Sequence, residues 1–406
     1  MAAGESSRFW PLNKKHKSLF CLLEKPLILL TLLNLKKAGV KEVVILQGVS
    51  KDIESELKRH KLPQGLKIKY VVQKEPRGTG DALRQAANHL EQKFLVLYGD
   101  DFYGEKDLKN CLAKFPSVLL KETKNISNFG VAVVDKDRVK KIVEKPLRPP
   151  SNLVNAGGYF IPKAVLEEKI AESERGELEI TDYINRLAQK SKVYFVKASD
   201  WFPLSFAWDL LAVNEFLLNG IKTKIEGKVE KNCHVQGPVF VGKRTIIKSG
   251  TYVEGPVWIG ENCEIGPNCF LRPFSHLGDN CRIGHGVEIK NSVVSKGSTI
   301  PHLNYVGDSI IGENCDLGGG TVFANLRLDR QNVRSKIKGI MVDTGRKKLG
   351  AVLGRGVQVG VNSSLMPGVL VGENSVIGPH SLVRENVADD TIFYSKFDKV
   401  EQKRVP

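Results

Sequence analysis

Two groups of residues in this chain have types and spacings that can do chemistry. The first opens the sequence: Ala2-Ala3-Gly4-Glu5-Ser6-Ser7-Arg8, with Lys17 following. A glycine-containing turn offers backbone N–H groups to phosphate oxygens, and one guanidinium adds charge-assisted contacts. Lys17 follows at a distance from which its ammonium reaches the same phosphates. The other reading of this segment is an ordinary amino terminus. Asp100 comes just after the apolar run Phe94-Leu95-Val96-Leu97-Tyr98. A carboxylate at the carboxyl edge of a parallel sheet holds a hard cation against phosphate oxygens; taken alone, Asp100 also reads as a loop aspartate. The second group centres on His302. An exposed neutral imidazole removes a proton from an amine near neutral pH. The freed amine then attacks a thioester while nearby donors hold the oxyanion, which is acyl transfer. Against this stands a plain surface histidine.

Two kinds of element must position these residues. Residues 1–225 alternate aliphatic runs with helical stretches. Val43–Leu46, Lys67–Val72 and Phe94–Tyr98 read as strands; Pro26–Ala38, Asp52–His60 and Gly80–Leu90 read as helices between them. This alternation predicts an α/β domain with a mostly parallel sheet covered on both faces, and ligands beyond the carboxyl ends of its strands. Val131–Val134, Val139–Val143 and Tyr159–Ile161 add strands that need not be parallel. Glu179–Lys190 and Phe206–Leu218 add helices, and a linker falls near Gly220–Val229.

After the linker the period changes. From Val235 an aliphatic residue recurs at every sixth position: Val241, Ile247, Val253, Ile259, Ile265, Leu271, Leu277, Ile283 and Ile289. The beat breaks near His302, resumes at Ile311 and Leu317, and is clean again from Leu353 to Ile377. Such short, sustained repeats predict a left-handed parallel β-helix over 226–392, with one aliphatic residue pointing inward from each face. A polar, basic tail follows over 393–406. Cys263, Cys269, Cys281 and Cys315 each fall four residues after a beat and read as small buried hydrophobes. The interruption between Asp329 and Ala351, with Lys336, Lys338, Arg346, Lys347 and Lys348, reads either as a solvent loop or as a clamp for cofactor phosphates.

Composition narrows the classes. The net charge of +16 allows nucleic-acid binding. The lysines are scattered, however, with no aromatic-basic interleaving, so a basic surface helped by anionic nucleotide substrates is expected and no nucleic acid. The apolar run Pro26–Leu35 is too short to span a membrane, and the first residues lack a basic start and an apolar stretch. A cytoplasmic protein is expected. Seven cysteines without a Cys-x-x-Cys pair signal neither a structural zinc nor a disulfide framework.

The opening segment resembles the signature of the sugar-1-phosphate nucleotidylyltransferases. The likeness continues at Gln73-Lys74-Glu75-Pro76-Arg77-Gly78-Thr79-Gly80-Asp81-Ala82, Tyr98-Gly99-Asp100, Gly130, Val143-Glu144-Lys145-Pro146, Asn155-Ala156-Gly157 and Trp208-Asp209. These matches arrive in family order over nearly all of residues 1–215. The resemblance implies that Ala3 and Gly4 through Arg8 wrap the nucleotide phosphates, and that Arg8 and Lys17 stabilise charge on the attacked α-phosphate. It implies that Gln73, Gly78 and Thr79 hold the base, that Asp100 and Asp209 bind Mg²⁺, and that Gly130, Glu144 and Asn155 hold the sugar. Asp209 is the less secure ligand, because Pro203-Leu204-Ser205-Phe206-Ala207 replaces a glycine-rich approach. Ser6 stands where the family has glycine, yet it still supplies an amide. The family also has a short apolar strand before Ala2-Ala3-Gly4, in the middle of the sheet, and Met1 stands at its last position. That predicts neighbouring strands with unpaired edges and a start codon further upstream.

The stretch around His302 resembles the acetyltransferase half of the bifunctional N-acetylglucosamine-1-phosphate uridylyltransferase/glucosamine-1-phosphate acetyltransferases. It carries His302-Leu303-Asn304-Tyr305-Val306-Gly307-Asp308, and Leu271-Arg272-Pro273 and Val287-Glu288-Ile289-Lys290 match as well. By that resemblance His302 is the base, Arg272 and Lys290 grip the sugar phosphate, and Tyr305 and Asn325 orient the sugar. Pro301 and Ile300 depart from the pattern before the histidine, and Leu326-Arg327 replaces the family's continuation after Asn325. The function implied is two-headed: acetyl transfer from acetyl-CoA to glucosamine-1-phosphate, then uridylyl transfer from UTP, in a homotrimer. The alternatives are a one-headed nucleotidylyltransferase with a structural β-helix, for glucose-1-phosphate or mannose-1-phosphate, and a non-catalytic regulatory protein.

Overall fold

The computed structural model describes every residue except 5, 76, 125, 127, 128, 174, 175 and 398–406. Glu5, Pro76 and most of the basic tail therefore lie outside the described residues. The chain forms two compact units. One comprises Met1–Ser7, Lys15–Cys21 and Lys25–Ser205; the other comprises Arg8–Lys14, Leu22–Glu24 and Phe206–Pro406.

In the first unit, α1 (Leu27–Lys37) buries Leu27, Ile28, Leu29, Leu32 and Leu35 and carries Lys36 and Lys37 in its last turn, where cations suit the helix dipole. Strand β1 (Glu42–Gln47) pairs in parallel with β2 (Lys67–Val72) along its whole length. The helix between them, α2 (Asp52–Leu57), stops short of His60. The helix after β2, α3 (Thr79–Gln85), gives way to a 3₁₀ turn at Ala87–His89. A separate six-stranded sheet is built from β3 (Lys93–Leu97), β4 (Ser117–Glu122), β5 (Val131–Asp135), β6 (Arg138–Val143), β7 (Leu153–Pro162) and β8 (Val193–Lys197), in the order β3-β7-β4-β8-β6-β5. Only β4 and β8 pair in parallel there; β7 runs antiparallel to β3, β4 and β5. The sheet is thus more mixed than the simple alternation of strands and helices suggests. It is covered in part by α4 (Ile180–Lys190), which buries Ile180, Tyr183 and Ile184.

Met1 and Ala2 lie between β1 and β3. Ala2 forms a parallel bridge with Gln47, and its N–H donates to the Leu46 carbonyl at 2.7 Å. The Met1 ammonium donates to the Leu97 carbonyl at 2.9 Å, and Gly99 N–H donates to the Met1 carbonyl at 2.6 Å. Alongside lies an apolar cavity of about 270 Å³ bordered by Ile28, Leu32, Leu35, Val43, Ile45 and Leu95.

The second unit contains α5 (Leu210–Asn219), preceded by a 3₁₀ turn at Ala207–Asp209. The α-helix therefore begins four residues after Phe206. The first coil strand, Lys224–Ile225, pairs with Phe240–Val241, inside the segment that the sequence assigns to the linker. Strands then stack as three parallel sheets of eight, nine and eight strands, a parallel β-helix. Val235 stacks on Val253, Val241 on Ile259 and Ile247 on Ile265, so the six-residue beat becomes three inward columns. From Val241 to Ile289 every beat residue is fully buried, each contributing roughly 1.5–3 kcal/mol of apolar transfer. Asn262, Asn280, Asn314 and Asn374 turn corners in the left-handed region, which asparagine tolerates better than most residues. Cys263, Cys269, Cys281 and Cys315 are buried free thiols.

One feature of the beat reads differently in three dimensions. Ile300 and Val306, on either side of His302, keep the six-residue step and are fully buried. The shortened steps are five residues each, Ile289 to Val294 and Val306 to Ile311. The beat is therefore tightened at two stacked corners, around Asn291 and Asp308, and is intact at His302. Asn291 (φ +44°) and Asp308 (φ +50°) both take the left-handed conformation at these corners. The 329–351 interruption is an antiparallel hairpin, β9 (Arg334–Ile337) and β10 (Ile340–Asp343). Lys338 and Gly339 turn it with φ +48° and +82°, as a type I′ turn requires.

Candidate active sites

In the first unit the Lys17 ammonium lies 2.9 Å from an Asp100 carboxylate oxygen and donates to the Leu204 carbonyl at 2.5 Å. Burial opposes charge on Asp100, but the Lys17 ammonium outweighs it and holds the carboxyl below its usual pKa. Asp101 behaves in the opposite way. Burial first, and then the Asp100 charge, push it up to about 7. Its two oxygens accept from Trp201 Nε1 at 2.9 Å and from Leu204 N–H at 3.2 Å. Asp101 thus fixes the backbone whose carbonyl binds Lys17, a role that sequence reasoning did not find. A main-chain carbonyl carries no residue signal that would have revealed it. His16, beside Lys17, bonds Ser18 through Nδ1 at 2.7 Å, and burial lowers its pKa to about 4, so it is a neutral neighbour at pH 7.

The glycine turn is held from the same side. Ser6 adopts φ +55°, a strained conformation for a residue with a Cβ, and its hydroxyl accepts from Lys17 N–H at 3.2 Å. A Cβ on Gly4 would meet nothing within 4 Å, so the space at Gly4 is open to a ligand. Ala3 lies half-buried beside it. Gln73 is buried, with its amide 3.4 Å from Asp81. Gly78 is needed for packing, since at φ +103° a Cβ would stand 2.6 Å from the Leu178 carbonyl. The Thr79 hydroxyl accepts from Ile180 N–H at 3.0 Å. The three residues expected at the sugar come together. A Cβ on Gly130 would lie 2.9 Å from Glu144 Oε2, and Asn155 N–H donates to the Gly130 carbonyl at 2.8 Å. Asn155 Nδ2 donates to Tyr159 Oη at 2.6 Å, and that hydroxyl lies 3.1 Å from Tyr98 Oη.

Arg8 and Asp209 belong to the second unit. Arg8 is exposed, its guanidinium 5.8 Å from the centre of the Phe206 ring. Asp209 Oδ2 accepts from Phe206 N–H at 2.8 Å.

On the β-helix, His302 is exposed. Its carbonyl accepts from Gly320 N–H at 3.1 Å, and a Cβ on Gly319 would come within 3.3 Å of its own Cβ. The Gly318-Gly319-Gly320 run therefore supports the ledge on which the imidazole stands. Arg272 pairs with Glu288 at 2.8 Å and lies 5.5 Å from the Phe270 ring centre. Lys290 lies 3.4 Å from Asp308. Asn325 Nδ2 donates to Tyr305 Oη at 3.1 Å and to Asp308 Oδ2 at 2.6 Å. Burial raises the Tyr305 pKa, so the phenol stays protonated. Lys290, Tyr305 and Asn325 are thus one connected group, with Asp308 at its hub.

The nucleotidyl transferase family model matches residues 1–220, and the GMPPB C-terminal domain model matches residues 253–392. A Sulfurisphaera tokodaii protein named bifunctional sugar-1-phosphate nucleotidylyltransferase/acetyltransferase is 38% identical over 90% of this chain and 92% of its own. Proteins named bifunctional protein GlmU are similar as well. That of Methanocaldococcus jannaschii is 37% identical over 99% of this chain and 98% of its own, and one from Methanococcus maripaludis is 38% identical over 100% and 98%. With family models matched over residues 1–220 and 253–392 and relatives similar over nearly the full chain, the chain belongs to the nucleotidyl transferase family, among its bifunctional nucleotidylyltransferase/acetyltransferase members.

Proposed function

We propose that the chain makes UDP-N-acetylglucosamine in two steps, with acetyl-CoA, glucosamine-1-phosphate and UTP as substrates. The observation that carries this reading is the presence of two separate constellations in a chain whose full-length relatives are named for both activities. At the ledge, His302 takes the proton from the sugar amine as its nitrogen attacks the thioester carbonyl. The carbon–sulfur bond breaks, and the departing CoA thiolate takes that proton from the His302 imidazolium, which leaves the thiol and a neutral imidazole. Arg272 and Lys290 hold the sugar phosphate, and Tyr305 and Asn325 orient the ring. The basic interruption between Asp329 and Ala351, with Lys336 and Lys338 in its hairpin and Arg346, Lys347 and Lys348 after it, binds the phosphates of acetyl-CoA.

At the other site, a phosphate oxygen of the N-acetylated sugar attacks the α-phosphorus of UTP, and pyrophosphate leaves. Ala3, Gly4 and Arg8 cradle the triphosphate, and Lys17 neutralises the charge that builds on the α-phosphate. Gln73, Gly78 and Thr79 face the base; Gly130, Glu144 and Asn155 face the sugar. Asp100 and Asp209 supply hard carboxylate oxygens suited to Mg²⁺, whereas both oxygens of Asp101 are already engaged. When bound there, Mg²⁺ neutralises phosphate charge. We infer a homotrimer assembled through the flat faces of the coils, where Tyr252, Val322 and Leu382 stand partly exposed in one column. Among the described residues, no helix is long and apolar enough to cross a membrane, and a cytoplasmic enzyme fits these water-soluble substrates.

The test is to incubate the protein with glucosamine-1-phosphate, acetyl-CoA, UTP and Mg²⁺ and to identify the products by mass. UDP-N-acetylglucosamine, free CoA and pyrophosphate are expected. Pyrophosphate without CoA, across several amino-sugar phosphates, would refute the two-headed reading.

A further inference from the structure

The resemblance gives Asp308 no role, yet it is the most connected side chain at the ledge. It is 3% exposed. Its Oδ1 accepts from Asn291 Nδ2 at 2.7 Å, and its Oδ2 accepts from Asn325 Nδ2 at 2.6 Å and faces the Lys290 ammonium at 3.4 Å. These partners come from the two coils on either side of the one that carries Asp308. They converge because of the two five-residue corners: Asp308 N–H donates to the Lys290 carbonyl at 2.9 Å, placing one shortened corner on the other. A residue added at either corner would break this register. Gly307 leaves the necessary room, because a Cβ there would stand 2.5 Å from Tyr305 Oη and 2.6 Å from Asn325 Nδ2.

The chemistry of the hub settles which way the Asn325 amide faces. An ionised carboxylate only accepts hydrogen bonds, so the NH₂ end of Asn325 must face Asp308. Tyr305 Oη takes a second hydrogen bond from that nitrogen. The carbonyl end, Oδ1, has no protein partner among the described residues. The same carboxylate holds Lys290 by its charge while leaving the ammonium free to donate elsewhere. The wall therefore offers one amide acceptor and one tethered cation.

We propose that Asp308 is a positioning residue of the acyl-transfer site, presenting the Asn325 carbonyl oxygen to a hydroxyl or amine of the sugar and the Lys290 ammonium to its phosphate. This rests on the acetyl-transfer reading of the ledge. It makes a sharp demand on the acceptor: the ligand must place a hydrogen-bond donor at Asn325 and an anion at Lys290. A deoxy analogue lacking that donor binds as the wild type binds a poor substrate.

Asp308→Asn tests the proposal with almost no change of shape. An asparagine at 308 cannot accept from Asn291 and Asn325 at both ends, so the Asn325 amide is released to turn over, and Lys290 loses its counter-charge. The expected result is a KM for glucosamine-1-phosphate raised about tenfold or more, the range of a lost charged hydrogen bond. The KM for acetyl-CoA stays within about threefold, a shift too small to signal a lost hydrogen bond. The double variant Asp308→Asn/Asn325→Asp restores a carboxylate–amide pair with the roles reversed and an acceptor oxygen still at 325. It is expected to recover most of the lost KM. An unchanged KM in Asp308→Asn overturns the proposal. So does a variant that loses kcat, both KM values and thermal stability together with no recovery in the double variant, which would make Asp308 a purely structural residue. If the wild-type protein releases no CoA with any amino-sugar phosphate while still forming pyrophosphate, the acetyl-transfer reading itself fails, and the role of Asp308 falls with it.

Discussion

Lys17 is held between an acid and a carbonyl, and that arrangement defines what single residues do at the first site. Its ammonium satisfies Asp100 and the Leu204 carbonyl, so under the proposed function a bound triphosphate competes with both for it. On the role proposed for Lys17 at the α-phosphate, Lys17→Met should slow pyrophosphate release by about 10²–10³-fold, with CoA release unaffected; parallel assays of the two products check this. Asp101 adds a pH effect. Its folded pKa of about 7 lies above the unfolded value of about 3.9. The folded state therefore keeps a proton that the unfolded chain has lost, and the stability contributed by Asp101 is full below about pH 4 and declines as pH rises through 7. Wild type should accordingly lose thermal stability relative to Asp101→Asn between pH 5 and pH 8. Melting midpoints of the two proteins at both pH values would expose a wrong sign. At this scale the sequence singles out Lys17, Asp100 and His302 by residue type, and the structure brings Lys17 within 2.9 Å of Asp100 and leaves His302 exposed. The sequence was silent on Asp101, whose function passes through the Leu204 backbone, and on the hub role of Asp308, which depends on how coils stack.

At the scale of elements, the ledge beneath His302 is set by glycines that leave unequal room. A Cβ on Gly319 would sit 3.3 Å from the His302 Cβ, whereas one on Gly284 would sit 1.8 Å from the Pro301 carbonyl. Gly319→Ala should therefore tilt the imidazole and cut CoA release by about tenfold or more, since small misplacements are costly at a reacting centre, while melting unchanged. Gly284→Ala has nowhere to relax and should lower stability by about 1–3 kcal/mol. Calorimetry and CoA assays on the pair separate tilt from unfolding. The β-helix was legible because its period is written in inward side chains, and burial from Val241 to Ile289 follows it without exception. Its irregularity lies in two five-residue steps, Ile289 to Val294 and Val306 to Ile311, with an intact six-residue count through Ile300 and Val306 between them. What the spacing could not show is that the two short corners, at Asn291 and Asp308, stack on one another. The hairpin at Arg334–Asp343 was likewise visible only as an interruption, because Ser335 and Ile337 are the buried positions of its two strands, too few for an alternating apolar stripe to announce it.

For the whole molecule, the proposed function gives each reaction its own set of residues. None of those assigned to the ledge belongs to the Lys17–Asp100 group, so the chain is expected to behave as two catalysts sharing one polypeptide, linked by N-acetylglucosamine-1-phosphate. If that intermediate is released to solution, a protein defective at one site supplies a protein defective at the other. His302→Ala, which removes the proposed base, should lose about 10²–10⁴-fold in CoA release and keep pyrophosphate release from added N-acetylglucosamine-1-phosphate. Lys17→Met should show the converse. Mixed in equal amounts with glucosamine-1-phosphate, acetyl-CoA and UTP, the two variants should make UDP-N-acetylglucosamine after a lag, during which the intermediate accumulates. The lag should shorten as the concentration of Lys17→Met rises, because that protein feeds the pool. Product formation with no lag, or a mixture that stays inactive while each variant retains its own half-reaction, would show instead that the intermediate passes within one molecule or assembly.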